Sequence, residues 1–386
     1  MKLDNVAVPL GRAWTSPFCR WQGALSEVSS IDLAVDVTAR ALQGFPISDL
    51  TYLVLGSTVP QRTSFYGATM VAPRLGLDAV TGPTIAQACA TSAAVVQAAA
   101  AQVALGAHRT VLAVATDRTS NGPVMLYPSP AAVGGAPLSE HWVLDPMKQD
   151  PSTGHSMVDT AEFVAAEEGY TRAELDELTL LRYEQYRSVE ERPYLVAAHV
   201  ASRRGPTVVT SDEGVFPTTA EGLAKLAPGR PDGVVTFGSQ THPGDGTAGL
   251  VLSTVDFARA HGGGMARVLA VSFARVERAR MPKAPVPAAL SALADAGVGL
   301  DDLDVVTTHN PFAVNDLYFS RQTGFALEKM NPYGCSLIYG HPQGPTGLRA
   351  IAELIEALRA RGGGRGLFTG CAAGDTAGAV VVEVTD

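Results

Sequence analysis

Residues 86–117 read AQACATSAAVVQAAAAQVALGAHRTVLAVATD, and this stretch decides the fold class. Helix formers run unbroken to a stop at Gly106, and a strand-like run follows from Thr110 to Ala115. That run is apolar without alternation, the pattern of a strand covered on both faces. One cysteine, Cys89, stands at the mouth of the helix among small residues.

The same alternation extends outward. A helical pattern through Leu33, Val37, Ala41 and Leu42 precedes an extended run from Val54 to Val59, and a helix from Tyr66 to Leu75 precedes an extended segment from Thr84 to Cys89. This order predicts an α/β fold with parallel, doubly covered strands. Between Thr119 and Thr241 the texture changes. Pro, Gly and Ser dominate first, and the charged amphipathic stretch DTAEFVAAEEGYTRAELDELTLLRYEQYR follows, so this region reads as an insertion. Strand-like runs resume at Gly249–Leu252 and Val268–Phe273, and a second α/β unit occupies the C-terminal third.

The two units share an order. The first reads extended segment, Cys89, helix, glycine, strand; the second reads NPYGCSLIYGHPQGPTG (331–347), a helix from Leu348 to Ala360, glycines, then a strand from Leu367 to Gly370. Each places a reactive type of residue, Cys89 or His341, just before its helix. Duplicated halves packed together would turn both helix N-termini toward a shared interior.

A chain of 386 residues, 46% hydrophobic and 17% charged, can bury a large core in more than one packed unit. A formal charge of −9 with no Lys/Arg-dense run excludes a nucleic-acid footprint or a basic membrane-surface stripe. The first residues lack the apolar stretch of a signal peptide, and nowhere do eighteen apolar residues run together, so a cytoplasmic location without a membrane span is expected. Four cysteines, Cys19, Cys89, Cys335 and Cys371, occur without a CxxC pair, which points neither to a disulfide framework nor to a structural zinc site.

A thiol at a helix N-terminus feels unpaired backbone N–H groups and the positive end of the helix dipole, both of which favour thiolate. Small neighbours leave room for a substrate and let backbone amides face a developing oxyanion. A small buried core residue is the other role for a free cysteine there. The loop Gly340-His341-Pro342-Gln343-Gly344 aims an imidazole, either as general base for the thiol or as donor to a carbonyl oxygen; a solvent-exposed turn histidine is the alternative. Thr369-Gly370-Cys371 ends a strand in a small-residue loop and offers a second thiol for acid/base work. His309 and Asn310 follow the strand Val305–Thr308, at the strand end where α/β sheets usually bind ligands, although a capping pair reads the same way.

Taken together these segments resemble the thiolases, over nearly the whole length: VAVPLGRAW near the N-terminus, the segment around Cys89, the Gly-His-Pro-x-Gly loop at His341 and the Cys-x-x-Gly loop at Cys371. The inserted region is similar too, since Ser156–Glu162 looks like the family's Met-Gly-x-Thr-Ala-Glu segment and residues 221–252 like the stretch ending in Asn-Asp-Gly-Ala-Ala. The resemblance implies a thiolase fold, two duplicated βαβαβαββ halves in a five-layer αβαβα arrangement. The halves would span 1–120 plus 242–265 and 266–386, with a loop domain at 121–241 covering coenzyme A.

It further implies an acyltransferase. Cys89 would be the acylated nucleophile, His341 its activator, and Cys371 the base that deprotonates a second acetyl thioester. The resulting enolate would attack acyl-Cys89, in a Claisen condensation to 3-oxoacyl-CoA whose reverse is thiolysis. Backbone N–H groups of Cys89 and Ala373 would form one oxyanion hole, with His309 and His341, through a water held by His309, forming the other. Met157, Ser239, Thr241, Asn310 and Phe312 would lie near the pantetheine and acyl groups. Coenzyme A thioesters are then substrates, no metal or bound cofactor is implied, and a homodimer or homotetramer is expected.

Several positions depart from the family pattern. His309-Asn310-Pro311-Phe312 stands in place of Asn-Glu-Ala-Phe, closer to the His-Asp-Cys-Phe version of sterol-carrier-type thiolases, which commonly lack the last cysteine that is present here as Cys371. Ala90, Thr91 and Ser92 replace Gly-Ser-Gly, Ala373 replaces a glycine, and Cys335, also at a usual glycine, reads as a packing thiol. Two further readings follow from these departures: a ketosynthase-like condensing enzyme using a carrier-protein thioester, and a non-catalytic subunit that binds acyl-CoA or a partner protein.

Overall fold

The structure, a computed structural model, describes residues 1–202 and 205–385. The first half contributes strands β1 (Ala7–Pro9), β2 (Tyr52–Gly56), β3 (Thr84–Ile85), β4 (Thr110–Arg118) and β5 (Gly244–Ser253), and helices α1 (Ser30–Ala41), α2 (Ala68–Arg74) and α3 (Thr91–Ala104). Between β4 and β5 lie a hairpin (Val124–Tyr127 with Leu138–His141), helices α4 (Met157–Glu168) and α5 (Arg172–Arg187), and a second hairpin. The second half contributes β6 (Met265–Arg275), β7 (Val305–His309), β8 (Gly364–Ala372) and β9 (Thr376–Thr385), with helices α6 (Pro285–Ala296), α7 (Ala313–Thr323) and α8 (Thr346–Ala360).

Among the described residues, eleven strands join in one hydrogen-bonded sheet along the path β7-β8-β9-β6-β1-β5-β4-β2-β3, with Ala13–Thr15 and Cys19–Arg20 added against β5. The two halves repeat one design. The first runs spatially 3-2-4-5-1; the second runs the same way once the parallel bridge of Met330 to Val306 stands for its third strand. The join is β1, whose Ala7 pairs with Ser253 on one side and Arg267 on the other.

The expectation of parallel strands holds for part of the sheet. Only β2 with β3 and β4, and β7 with β8, are parallel among the named strands, and the other pairings are antiparallel. Each half ends in two successive strands, and β8 returns as β9 after three residues, a connection too short for a parallel crossover. Two extended runs are also shorter than the sequence suggests. β2 stops at Gly56 because the N–H groups of Thr58 and Val59 turn to the Asp117 carboxylate instead of a strand. β3 stops at Ile85 because Gln87 N–H donates to Thr91 Oγ1 and Ala88 takes φ +44°. The single charged amphipathic stretch is two helices: Gly169 ends α4 with φ +69°, and Thr171 with Glu174 forms a capping box that starts α5.

Three apolar layers hold five structural layers together. In the centre, Val95, Val96 and Val103 of α3 and Leu348, Ile351 and Leu354 of α8 pack between strands of both halves. On one outside, Leu33 and Val37 of α1 and Val71 of α2 cover Leu53, Leu112 and Val251; on the other, Ala288 and Leu293 of α6 and Phe319 of α7 cover Val306, Leu367 and Val381. Each fully buried aliphatic side chain contributes about 1.5–3 kcal/mol. The central helices are therefore covered over most of their surface, which fits the Ala- and Val-rich composition of α3, with Gln97 and Gln102 on its half-buried side. Their N-termini meet: a Cβ on Gly347 would lie 2.7 Å from Ser92 Cβ, so only glycine permits this approach.

Candidate active site

Cys89 sits in the tight turn that enters α3. Ala88 ahead of it is held in the left-handed region, and Thr91 Oγ1 donates to Ala88 O at 2.7 Å while accepting from Gln87 N–H at 2.8 Å. Ser92 faces the other half of the molecule, donating to Gly344 O at 2.5 Å and accepting from Leu348 N–H at 2.8 Å. Two of the departures after Cys89 thus have structural work: Thr91 clips the Cys89 turn and Ser92 ties it to the His341 loop. Cys19, Cys335 and Cys371 are buried, whereas Cys89 is partly open.

His341 enters from the second half. Its Nε2 lies 3.1 Å from Cys89 Sγ and its Nδ1 2.7 Å from Oγ1 of Thr346, the first residue of α8. A neutral ring that accepts the Cys89 S–H at Nε2 donates from Nδ1 to Thr346 Oγ1, a hydroxyl that can take either role in the bond. The loop is pinned by Asp117, whose carboxylate accepts from Gly344 N–H at 2.9 Å and from Thr58 Oγ1 at 2.8 Å, while Thr58 Oγ1 also lies 2.6 Å from Gln343 Oε1. Burial pushes the Asp117 carboxyl up to about 6.

His309 stacks on His341, ring centres 4.0 Å apart and planes at 23°. Its Nδ1 lies 3.1 Å from Ser336 Oγ, and its Nε2 is buried without a partner among the described residues. Ser336 in turn donates to Asn310 Oδ1 at 3.4 Å, and Asn310 donates to Asp316 at 2.7 Å, where Arg182 closes the chain with a buried ion pair at 2.9 Å. Donor atoms of Cys89, His309 and His341 lie within 4.8 Å of one another.

Burial sets the protonation states. It pushes the Cys89 thiol up to about 11, Asp117 adding to this, while the backbone N–H groups of Ala373 and Cys89 pull the other way. It lowers the His341 imidazole well below its ordinary value, His309 and His242 adding to this, and brings His309 down to about 3. The helix-terminus argument for a resting thiolate is therefore outweighed by desolvation, and the pair rests as neutral thiol and neutral imidazole. Cys371 is driven well above the ordinary thiol range by burial, with the nearby Cys89 adding to it, against one side-chain hydrogen bond from Asn315 Nδ2 at 3.2 Å.

Cys89 and His341 stand at the end of a cavity of about 260 Å³, whereas His309 and Cys371 are buried and do not line it. Cys89, His341, Ala373 and Gln343 form its reactive end; Met157, Thr241 and Phe312 line it, along with Val143, Leu144 and Met147 of the inserted region and Met281 of the second half. Ser239 and Asn310 do not line it: the Ser239 hydroxyl bonds within its own turn to Thr236, and Asn310 faces Asp316. Thr346, Ser336, Asp117, Asn315 and the three apolar residues of the inserted region escaped sequence reasoning. A threonine in the first turn after the His341 loop and the polar Asn315-Asp316 pair inside an otherwise apolar helix start were the available signals.

Comparison with known proteins agrees with this arrangement. Residues 10–256 match the family "Thiolase, N-terminal domain" and residues 264–384 "Thiolase, C-terminal domain". The chain is 31% identical to the acetyl-CoA acetyltransferase of Escherichia coli (strain K12), over 94% of this chain and 95% of that one. It is 29% identical to the beta-ketoadipyl-CoA thiolase of Pseudomonas knackmussii, covering 98% of each. Among solved structures, the Bacillus anthracis acetyl-CoA acetyltransferase superposes with a TM-score of 0.92 at 29% identity, covering 99% of each chain. The chain belongs to the thiolase family, and its architecture is the thiolase fold.

Proposed function

We propose that this chain is a thiolase that transfers acyl groups between coenzyme A thioesters through an acyl-Cys89 intermediate, by Claisen condensation to a 3-oxoacyl-CoA and by the reverse thiolysis. The observation that carries the reading is the 3.1 Å contact between Cys89 Sγ and His341 Nε2 at the end of an apolar cavity. His341 takes the thiol proton as Cys89 attacks the thioester carbonyl, and the charge on the carbonyl oxygen is met by the N–H groups of Cys89 and Ala373. Coenzyme A departs as thiolate and takes up the proton of Cys371, which is left as thiolate, while His341 keeps the Cys89 proton on Nε2. In the second half-reaction the Cys371 thiolate removes a proton from the α carbon of an acetyl thioester. The enolate oxygen is met by the protonated Nε2 of His341 and by a water held at His309 Nε2, an atom buried without a partner among the described residues. As the enolate attacks the acyl carbon, Cys89 departs and recovers its proton from His341.

Coenzyme A is substrate here, not resident cofactor, and its pantetheine arm runs along Met157 and Thr241. The assignment of 1–120 with 242–265 and of 266–386 as the two halves, and of 121–241 as the part covering coenzyme A, is supported by β4 ending at Arg118, β5 starting at Gly244 and Val143, Leu144 and Met147 lining the cavity. A homodimer or homotetramer is supported by exposed apolar side chains at Phe65, Tyr66, Leu126, Val133 and Leu138. No helix among the described residues is long and apolar enough to cross a membrane, and four free thiols support a reducing, cytoplasmic setting. Intact-mass analysis after incubation with acetyl-CoA tests the reading: an acetyl adduct that is lost in Cys89→Ala supports it, and an unmodified protein with unimpaired turnover removes it.

A further inference from the structure

Asn315 lies in the first turn of α7, 2% exposed, behind the cavity rather than on it. Its side chain makes one hydrogen bond among the described residues, from Nδ2 to Cys371 Sγ at 3.2 Å, and its Oδ1 is buried without a partner. A buried amide satisfied on one side only is a poor structural choice, because an apolar residue of the same shape would leave nothing unpaired. What the amide can do that leucine cannot is donate to sulfur, and a donor bond strengthens when the acceptor becomes an anion. Cys371 needs such help: its surroundings in the Phe312, Val314 and Leu337 cluster are apolar, and both burial and Cys89 oppose a charge there.

We propose that Asn315 is a positioning residue for the carbon-acid step: its amide holds the Cys371 sulfur in place and donates to it while it carries the negative charge. The inference rests on the reading of Cys371 as the base. In that step the α carbon–hydrogen bond breaks and a sulfur–hydrogen bond forms. The electron pair left on carbon passes to the thioester oxygen as enolate, and the Asn315 bond weakens as the sulfur becomes neutral.

The test separates two half-reactions with acetyl-CoA as the probe. Acylation of Cys89 is followed by release of free coenzyme A, and the carbon-acid step by exchange of the acetyl methyl protons in heavy water. Asn315→Leu is expected to slow exchange by about tenfold or more and to move its pH profile to the alkaline side, with acylation within about threefold of the parent and the melting temperature not lowered. Asn315→Asp, which keeps the shape and sets a carboxylate against the sulfur, shifts the profile further and carries the test where the leucine variant does not fold. Unchanged exchange and profile in both variants, or exchange and acylation falling together with stability, overturns the proposal. Cys371→Ala is the control: it should abolish exchange and retain acylation. Retained exchange there overturns the reading of Cys371 itself, and the Asn315 role with it, whereas a dead control with normal Asn315 variants overturns the Asn315 role alone.

Discussion

Cys89 Sγ and His341 Nε2 lie 3.1 Å apart although 252 residues separate them in the chain. The contact exists because each residue precedes one of two central helices that occupy equivalent places in the duplicated halves. Cys89→Ala is expected to abolish acyl transfer and acetyl labelling with an unchanged circular dichroism spectrum, and His341→Ala to lower kcat by about 10²–10⁴. Acyl transfer near parental rates in either variant would contradict the pairing.

The resting protonation of Cys89 has its own signature. A thiol pushed up to about 11 beside a neutral imidazole reacts with iodoacetamide only through its small ionised fraction. The alkylation rate of the free protein should climb about tenfold per pH unit through the neutral and mildly alkaline range. A plateau near neutrality, the mark of a preformed thiolate, would refute it.

His309 supplies a stability test. Its folded value, about 3, lies below the ordinary value of 6.5, so in mildly acidic solution the unfolded chain binds a proton that the folded chain refuses. The neutral ring's contribution is therefore intact above 6.5 and is lost as the pH falls toward 3. In urea titrations, His309→Asn should lose about 1–2 kcal/mol less than the parent between neutrality and mild acid. Identical pH slopes would rule out a buried neutral His309.

Arg349 ties the end of the inserted region to the helix behind the His341 loop. It is fully buried, pairs with Asp212 at 2.6 Å and Glu353 at 2.9 Å, and stacks over Tyr339, two residues before His341. Arg349→Met leaves two buried carboxylates without their cation and should cost about 3–5 kcal/mol in chemical denaturation. A loss under about 1 kcal/mol would mean that water reaches the pair.

Among the described residues, the cavity lining includes no lysine or arginine. A 3-oxoacyl-CoA whose acyl chain ends in a carboxylate would bury that charge unpaired, so its kcat/KM should fall about 10²-fold or more below that of a neutral chain of equal length. Equal kcat/KM values for the two would show that the acyl end reaches solvent.

The sequence alone determined the alternation of helices and strands, the insertion, the repeat, and the residue types that the proposed chemistry uses. These are encoded in local periodicity, in glycine punctuation and in short loops around Cys89, His341 and Cys371. Strand direction was not so encoded, because an apolar strand buried on both faces looks alike whether its neighbour runs with it or against it. Only the tertiary structure decided that Thr346 orients His341, that Ser336 and the Asp316 network hold His309, and that Asn315 reaches Cys371. Most of these contacts join segments distant in sequence, and their geometry comes from packing α3 against α8 between two strand layers. Burial decided the protonation states as well, since desolvation by every surrounding layer outweighs the local helix-terminus field that the sequence makes visible.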